Sequence, residues 1–169
     1  MTSPDSLLYT NELTPELFRA LNTSPFTQQQ LSTFNEQATA IVTQQQTFAK
    51  AHPPITIYRM AAEGSQTRHG GVVKQATGSV QFKLDNGRQV RAAHTGDYVV
   101  YPDGTQAQIV TGAGKGNSHV ALVGSYLSNG DEIINTPQGS ALIIRRKAVE
   151  KAEDFLPPVE KATAILGTM

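Results

Sequence analysis

The 169-residue chain contains no cysteine. A disulfide framework and any metal site that uses a thiolate ligand are therefore excluded. The chain also lacks an excess of charge of either sign, since Lys plus Arg and Asp plus Glu both number 14. Proteins that bind nucleic acid or anionic membranes through general electrostatics normally carry a basic excess, so we expect neither class.

Long apolar segments are also missing, because no run approaches the roughly 20 residues that span a bilayer. The first six residues, MTSPDS, contain no basic region leading into an apolar segment, as a cleaved secretion signal would. We therefore expect a protein that is made in the cytosol and stays there, or that leaves by a route needing no signal peptide. The length allows one domain with its own core, plus appendages.

What the chain does contain is a repeated β unit. Residues 93–98 read AHTGDY and residues 121–126 read ALVGSY. Each copy is followed by a glycine turn, PDG at 102–104 and NGD at 129–131. Internal repeats indicate one architecture built from similar pieces, and regular short strands between glycine turns indicate an all-β core. We predict a compact, pseudo-symmetric β domain over residues 53–145.

Residues 1–52 form the predicted N-terminal helical extension. Thr14-Pro15 and Thr27 are good helix starts, and apolar residues recur at helical spacing from Thr27 to about Ala51. His52-Pro53-Pro54 ends this amphipathic helix, because proline removes a hydrogen-bond donor. Its apolar face either packs against the β domain or docks on another protein.

Residues 146–169 are interpreted as a C-terminal helical extension or tail. Residues 146–156 are charged and favour a helix, which Pro157-Pro158 would end.

Motifs for catalysis are scarce. No Gly-x-Ser-x-Gly elbow is present, and GAGKG at 112–116 lacks the spacing of a phosphate loop. Asp97, Asp103, Asp131 and Glu132 could supply paired carboxylates. Each of them lies beside a glycine or at a strand end, where Asp is expected as a turn former, so we interpret them as turn residues.

Three histidines, His69, His94 and His119, fall in the repeated region. Neutral imidazole is the commonest metal ligand in proteins, and a small β tip with little core would be stabilised by a metal clamp. The three histidines therefore either share a metal ion or are unrelated surface and half-buried side chains.

Four motifs, taken in their order, resemble the PAAR family. They are HGGVV at 69–73, A-x-x-GD at 93–97, YP-x-G at 101–104 and ALVG at 121–124. The resemblance covers about residues 55–145. It implies a small conical, pseudo-three-fold domain of β-hairpins, whose broad base sits on the blunt end of a trimeric VgrG-type spike of a type VI secretion system.

Three-fold character requires a third element beside the two sequence copies, and the strand predicted at residues 55–60 is our candidate for it. The expected fold class is thus mainly β with helical extensions.

The resemblance also implies a metal ion near the tip, usually zinc, held by histidines and one cysteine. His69 and His94 are the candidate ligands in this chain, zinc is the candidate cofactor, and Asp103 could add an oxygen ligand. A cysteine commonly stands where this chain has Tyr101. The family's usual ligand set is therefore incomplete, and the site is altered, weaker or absent.

The function that the resemblance implies is that of a non-enzymatic spike-tip protein. It would cap the VgrG-type trimer, sharpen it for membrane puncture, contact the target membrane transiently and help to recruit effectors. The terminal helices would bind an effector or adaptor protein. We expect a cytoplasmic protein that is later secreted by the contractile apparatus and that binds no nucleic acid.

Three alternatives stay open at this point. The first is a tip protein of a phage tail or another contractile injection particle. The second is a small metal-dependent hydrolase that uses His69, His94, His119 and Asp103 around a catalytic ion. The third is a plain binding module whose helical arms grip a partner.

Overall fold

The computed structural model describes residues 8–22 and 26–157. Within this part, three short helices and six short strands follow one another: α1 (Pro15–Asn22), α2 (Gln28–Leu31), α3 (Glu36–Ala51), β1 (Pro54–Arg59), β2 (Gln81–Lys83), β3 (Gln89–Arg91), β4 (Tyr98–Val100), β5 (Gln106–Gln108) and β6 (Leu142–Arg146). The strands pair as β1 with β6, β2 with β3 and β4 with β5, the last two pairs antiparallel. Small sheets with three helices agree with the prediction of a β protein that carries helical extensions.

The chain divides into two compact units. The helical unit comprises residues 12–57 and 144–150, and the β unit comprises residues 8–11, 58–143 and 151–157 of the described part. No helix among the described residues is long and apolar enough to cross a membrane.

Two N-cap residues divide this part of the helical unit into separate helices. Thr27 and Gln30 form a reciprocal capping box at the start of α2, with hydrogen bonds of 2.9 and 3.1 Å. Asn35 then caps α3, because its side chain accepts the N–H of Ala38 at 2.8 Å. The single helix predicted from Thr27 to about Ala51 is therefore two helices.

The charged stretch after β6 is not helical, so the helix predicted over residues 146–156 is wrong. Residues 147–148 and 153–154 form turns, and residues 149–152 have no regular structure. Ala148 has a φ of 64°, outside the helical region. Phe155 is buried, with its ring 5.0 Å from the ring of Tyr58. This tertiary contact overrides a helical preference that is only a weak prior. Residues 158–169 lie outside the described part.

The β unit contains three copies of one backbone motif, where the sequence repeat predicts two. Copies 2 and 3 are residues 93–97 and 121–125, and copy 1 is residues 61–65, which directly follow the strand predicted at 55–60. The glycine in fourth place has a φ close to 100° in each copy: Gly64 (100°), Gly96 (100°) and Gly124 (108°). Side chains with a Cβ rarely adopt this conformation, so glycine is required there.

The first alanines of the three copies are joined by a closed ring of backbone hydrogen bonds. The N–H of Ala61 donates to the carbonyl of Ala121 at 2.8 Å, Ala121 donates to Ala93 at 2.8 Å, and Ala93 donates to Ala61 at 2.9 Å. All three side chains are completely buried. This alanine ring links the three copies directly to one another.

The last residue of each copy closes a turn through its side chain. The acceptors are Ser65 Oγ, Asp97 Oδ2 and Ser125 Oγ, and the donors are the backbone N–H groups of Ala62, His94 and Leu122, at 2.9–3.0 Å. Short polar side chains that bond to nearby backbone in this way favour turns. Each copy therefore changes direction at the same place.

Each copy leads into a β-hairpin, which begins at the glycine of that copy. Hairpins 1, 2 and 3 comprise residues 64–73, 96–109 and 124–133, and in each the N–H of the first residue donates to the carbonyl of the last at 2.8–2.9 Å. Neighbouring hairpins share backbone hydrogen bonds, between Val72 and Val100, Gln108 and Ser128, and Arg68 and Glu132. Each hairpin thus pairs with both of the others.

Two apolar clusters fill the β unit. The first contains the ring alanines and buried hairpin side chains, among them Val73, Val99, Ile109, Leu127 and Ile133. The second contains the neighbours of the ring alanines together with outer residues: Tyr58, Met60, Phe82, Ala92, Val120, Leu122 and Phe155. Because consecutive residues of an extended chain point to opposite sides, the alanine ring separates the two clusters.

Replacing Ser125 by alanine tests the turn that follows the ring. The change leaves the buried N–H of Leu122 without its acceptor, so we expect the free energy of unfolding to fall by about 1–3 kcal/mol. Urea denaturation measures the change. The control is Ser140→Ala, at an exposed serine of the same unit, which should alter stability by less than about 0.5 kcal/mol. Equal stability of the two variants would show that the turn does not depend on this bond.

Candidate functional site

The turns of the three hairpins form one end of the β unit, and the turn of hairpin 2 extends farthest. Hairpin 2 is four residues longer than the other two. Two additional residues in each strand lengthen it by about 7 Å. The turn Pro102-Asp103-Gly104 therefore lies beyond the turns of hairpins 1 and 3.

Asp103 stiffens this projecting turn. Its Oδ1 atom accepts the hydroxyl of Thr105 at 2.6 Å and the N–H of Thr105 at 2.9 Å. These two hydrogen bonds lower the pKa of the exposed Asp103 carboxyl. Gly104 supplies the positive φ, 87°, that the turn needs. Asp103 thus has the turn-forming geometry that its place in the sequence indicates.

Behind the turns, a buried carboxylate joins all three hairpins. Asp131 belongs to hairpin 3 and is 2% exposed. It accepts the hydroxyl of Tyr101 from hairpin 2 at 2.6 Å and the N–H of His69 from hairpin 1 at 3.2 Å. The N–H of Glu132 also donates to it, at 2.8 Å.

These contacts shift two pKa values in opposite directions. Burial acts to raise the pKa of the Asp131 carboxyl, but hydrogen bonds from Thr67, Tyr101 and the backbone N–H groups outweigh it, so the pKa is lowered. Burial and the bond to Asp131 raise the pKa of Tyr101. At neutral pH a neutral phenol therefore donates to an ionised carboxylate, which is a strong type of hydrogen bond.

The direction of the Asp131 shift fixes how its contribution to stability depends on pH. The folded-state pKa lies below the unfolded value of about 4. The stabilisation is therefore complete above that unfolded value and is lost as the pH falls through the folded-state pKa.

The ring of Tyr101 fits into a space that glycine leaves open. A Cβ atom on Gly71 of hairpin 1 would lie 2.3 Å from Val99 Cγ1 and 3.0 Å from Tyr101 Cε1. The Tyr101 hydroxyl also accepts the side-chain N–H of Asn129 in hairpin 3 at 3.0 Å. Tyr101 thus contacts the two shorter hairpins at once.

The two candidate metal ligands lie at opposite ends of the hairpins. His69 lies exposed at the turn of hairpin 1, whereas His94 is half-buried just before hairpin 2, with its N–H bonded to Asp97. About five strand residues, or roughly 15 Å, separate the two histidines along the strand direction. His119 lies beside copy 2 instead, where its carbonyl accepts the N–H of Thr95. Within residues 8–22 and 26–157, no group of three or more His, Cys, Asp or Glu side chains could hold a metal ion.

A surface cavity of about 330 Å³ lies elsewhere on the β unit. Its lining comes from Tyr9, from Lys83, Leu84 and Asp85 at the end of β2, and from residues 137–140. The Tyr9 hydroxyl faces Asp85 at 3.4 Å. The cavity contains neither Asp131 nor any histidine, so it is separate from the carboxylate site.

The sequence interpretation of Asp131 as a turn former misses its main role, and it does not single out Thr67 or Asn129. One signal in the sequence does point to it. Asp131 precedes the apolar Ile133 by two residues, and side chains two apart on a strand face the same way. A carboxylate two residues away from a buried residue on the same strand is therefore expected to face the core.

Gly71→Ala tests how tightly the turn end is packed. The added methyl group would collide with Val99 and press on Tyr101, so we expect a loss of about 1–3 kcal/mol in unfolding free energy, measured by urea denaturation. Gly116→Ala is the matched control, because nothing lies within 4 Å of the added Cβ there. A Gly71→Ala protein as stable as the control would contradict this packing.

A scan against protein-family models, a search of the curated proteins and a search of the solved structures each found no match. The assignment of a function to this chain therefore depends on its own residues and geometry. The resemblance of its motifs to the PAAR family stays a prediction from sequence.

Proposed function

We propose that this chain is a spike-tip protein of a type VI secretion system, of the PAAR type, that caps a trimeric VgrG-type spike. It sharpens the spike for membrane puncture, helps to recruit effectors and is not an enzyme. It is cytoplasmic before assembly and is then expelled by the contractile apparatus.

The observation that supports this proposal best is the alanine ring. A single chain that binds end-on to a trimer must present a similar surface to each of three identical subunits. The closed bonds between Ala61, Ala93 and Ala121, and the three copies that begin with them, support such a symmetry within one chain. A hydrolase or a one-to-one binding module has no comparable requirement.

We assign the docking face to the side of the alanine ring away from the hairpins. The second apolar cluster lies there, and it includes Phe82 of β2. The neighbours of Phe82 in this short strand, Gln81 and Lys83, are exposed. Short exposed strands can extend a β-helix by backbone pairing, which supplies affinity through main-chain hydrogen bonds.

In this proposal the opposite end of the β unit leads into the target membrane. The turn of hairpin 2 extends beyond the other turns, and Asp103 and Gly104 hold it in one conformation. A narrow, stiff turn at the front concentrates the applied force on a small area.

The helical unit provides a surface for an effector or adaptor protein. Ile41 and Phe48 on α3 are 55% and 49% exposed. They are seven residues apart, which places them on one face of the helix. An apolar stripe among uncharged polar residues suits a protein partner that contributes its own apolar side chains.

Spike binding is the direct test of the proposal. The purified full-length chain, mixed with a trimeric VgrG-type spike from the same organism, should form a complex at micromolar concentrations or below. We expect one chain per trimer, because the trimer offers one three-fold end. Native mass spectrometry measures this ratio. Absence of a complex at micromolar concentrations, or three chains bound per trimer, would contradict the proposed role.

Two matched charge reversals locate the docking face. Lys83→Glu changes an exposed residue on β2 and should raise the Kd for the spike by about tenfold, equal to ~1.4 kcal/mol. Lys50→Glu changes an exposed residue on α3, in the helical unit that the proposal assigns to an effector or adaptor protein, and should leave the Kd unchanged. Equal effects of the two changes would contradict the assigned face even if the complex forms.

A further inference from the structure

The groups that face Asp131 all present hydrogen atoms to it. They are the backbone N–H groups of His69 and Glu132 and the hydroxyl group of Tyr101. A metal ion is bound by the lone pairs of several ligands, arranged around the cation. Here the polarity is reversed, since one anion lies at the centre and donors surround it.

Tyr101 uses both functions of its hydroxyl group in this arrangement. The oxygen accepts a hydrogen bond from Asn129 and the hydrogen is donated to Asp131. Its one hydrogen is thus used by Asp131, and one lone pair of its oxygen is used by Asn129. The residue that stands where the resemblance implies a cysteine is thus a hydrogen-bond donor to a carboxylate.

We propose that this chain holds its three hairpin turns together through the Asp131 carboxylate and needs no metal ion at this end of the β unit. The carboxylate belongs to hairpin 3 and receives donors from hairpins 1 and 2, so one buried group links all three. This inference concerns how the turns are held, and it is independent of what the chain binds.

The nearby ion pair does not replace this link. Arg68 of hairpin 1 and Glu132 of hairpin 3 lie 3.0 Å apart, but the side chain of Arg68 is 61% exposed. Exposed pairs of this kind contribute little to stability, and this pair does not reach hairpin 2. Removing the ion pair should therefore lower the stability of the chain by less than removing the bond between Tyr101 and Asp131.

Thermal unfolding of the full-length chain tests the proposal. Tyr101→Phe deletes only the hydroxyl group, and we expect the Tm to fall by about 5–10 °C, because a hydrogen bond to a buried charged group is lost. Asp131→Asn should lower the Tm at least as much. The control is Tyr98→Phe, in the same hairpin at a ring that is 52% exposed, which should change the Tm by less than about 2 °C.

Metal measurements on the unmodified chain complete the test and do not require a variant to fold. Elemental mass spectrometry of the purified protein should detect no metal in stoichiometric amount. Excess chelator should leave the Tm unchanged, and zinc added alone afterwards should not raise it. A stoichiometric metal ion, a chelator-induced fall in Tm, or a Tyr101→Phe effect no larger than that of Tyr98→Phe would each overturn the proposal.

Discussion

Three backbone hydrogen bonds between Ala61, Ala93 and Ala121 form the closed ring on which the β unit depends. A ring of this size brings three chain segments very close together, and only a small side chain leaves room for that approach. Each alanine is completely buried, so its N–H and carbonyl groups have no water to bond with. Buried backbone groups must be paired, and the ring pairs them with one another.

The rest of the β unit follows from this constraint. Each copy leaves the ring through the same glycine turn, so the three hairpins begin with equivalent directions. Apolar side chains such as Val73, Ile109 and Ile133 then meet inside and exclude water, and burial of this kind is the dominant favourable contribution to folding. At the turns the hairpins meet again, and there the contacts are polar. The alanine ring and the Asp131 site thus link the three hairpins by hydrogen bonds at their two ends, and apolar side chains pack between these ends.

The parts of this structure that the sequence predicts are those with local causes. Glycine turns, the two sequence copies and the helix starts depend on residues a few positions apart. Copy 1 is harder to recognise because Gln66 and Thr67 stand where copies 2 and 3 have Tyr followed by Val or Leu. The break between α2 and α3 is also local, but Asn35 resembles the other polar residues of that stretch.

The parts that the sequence does not predict depend on distant partners. The bond from Tyr101 to Asp131 spans 30 residues and the bond from His69 to Asp131 spans 62. Phe155 is buried against Tyr58, which lies almost a hundred residues earlier in the chain, and this contact prevents the helix that its charged neighbours favour. Neither spacing nor composition reveals such contacts. The metal site expected from His69 and His94 likewise required these two side chains to lie close together. Whether they do so is decided by the fold and cannot be read from their spacing in the sequence.

Amide hydrogen exchange at the three ring alanines tests the central role of the ring most directly. Exchange under native conditions separates amides that open locally from those that exchange only when the whole unit unfolds. If the ring is the common centre, Ala61, Ala93 and Ala121 should share the highest protection in the β unit and should exchange together through global unfolding. Exchange of any one of them as fast as the amides of the exposed hairpin turns would contradict a closed ring.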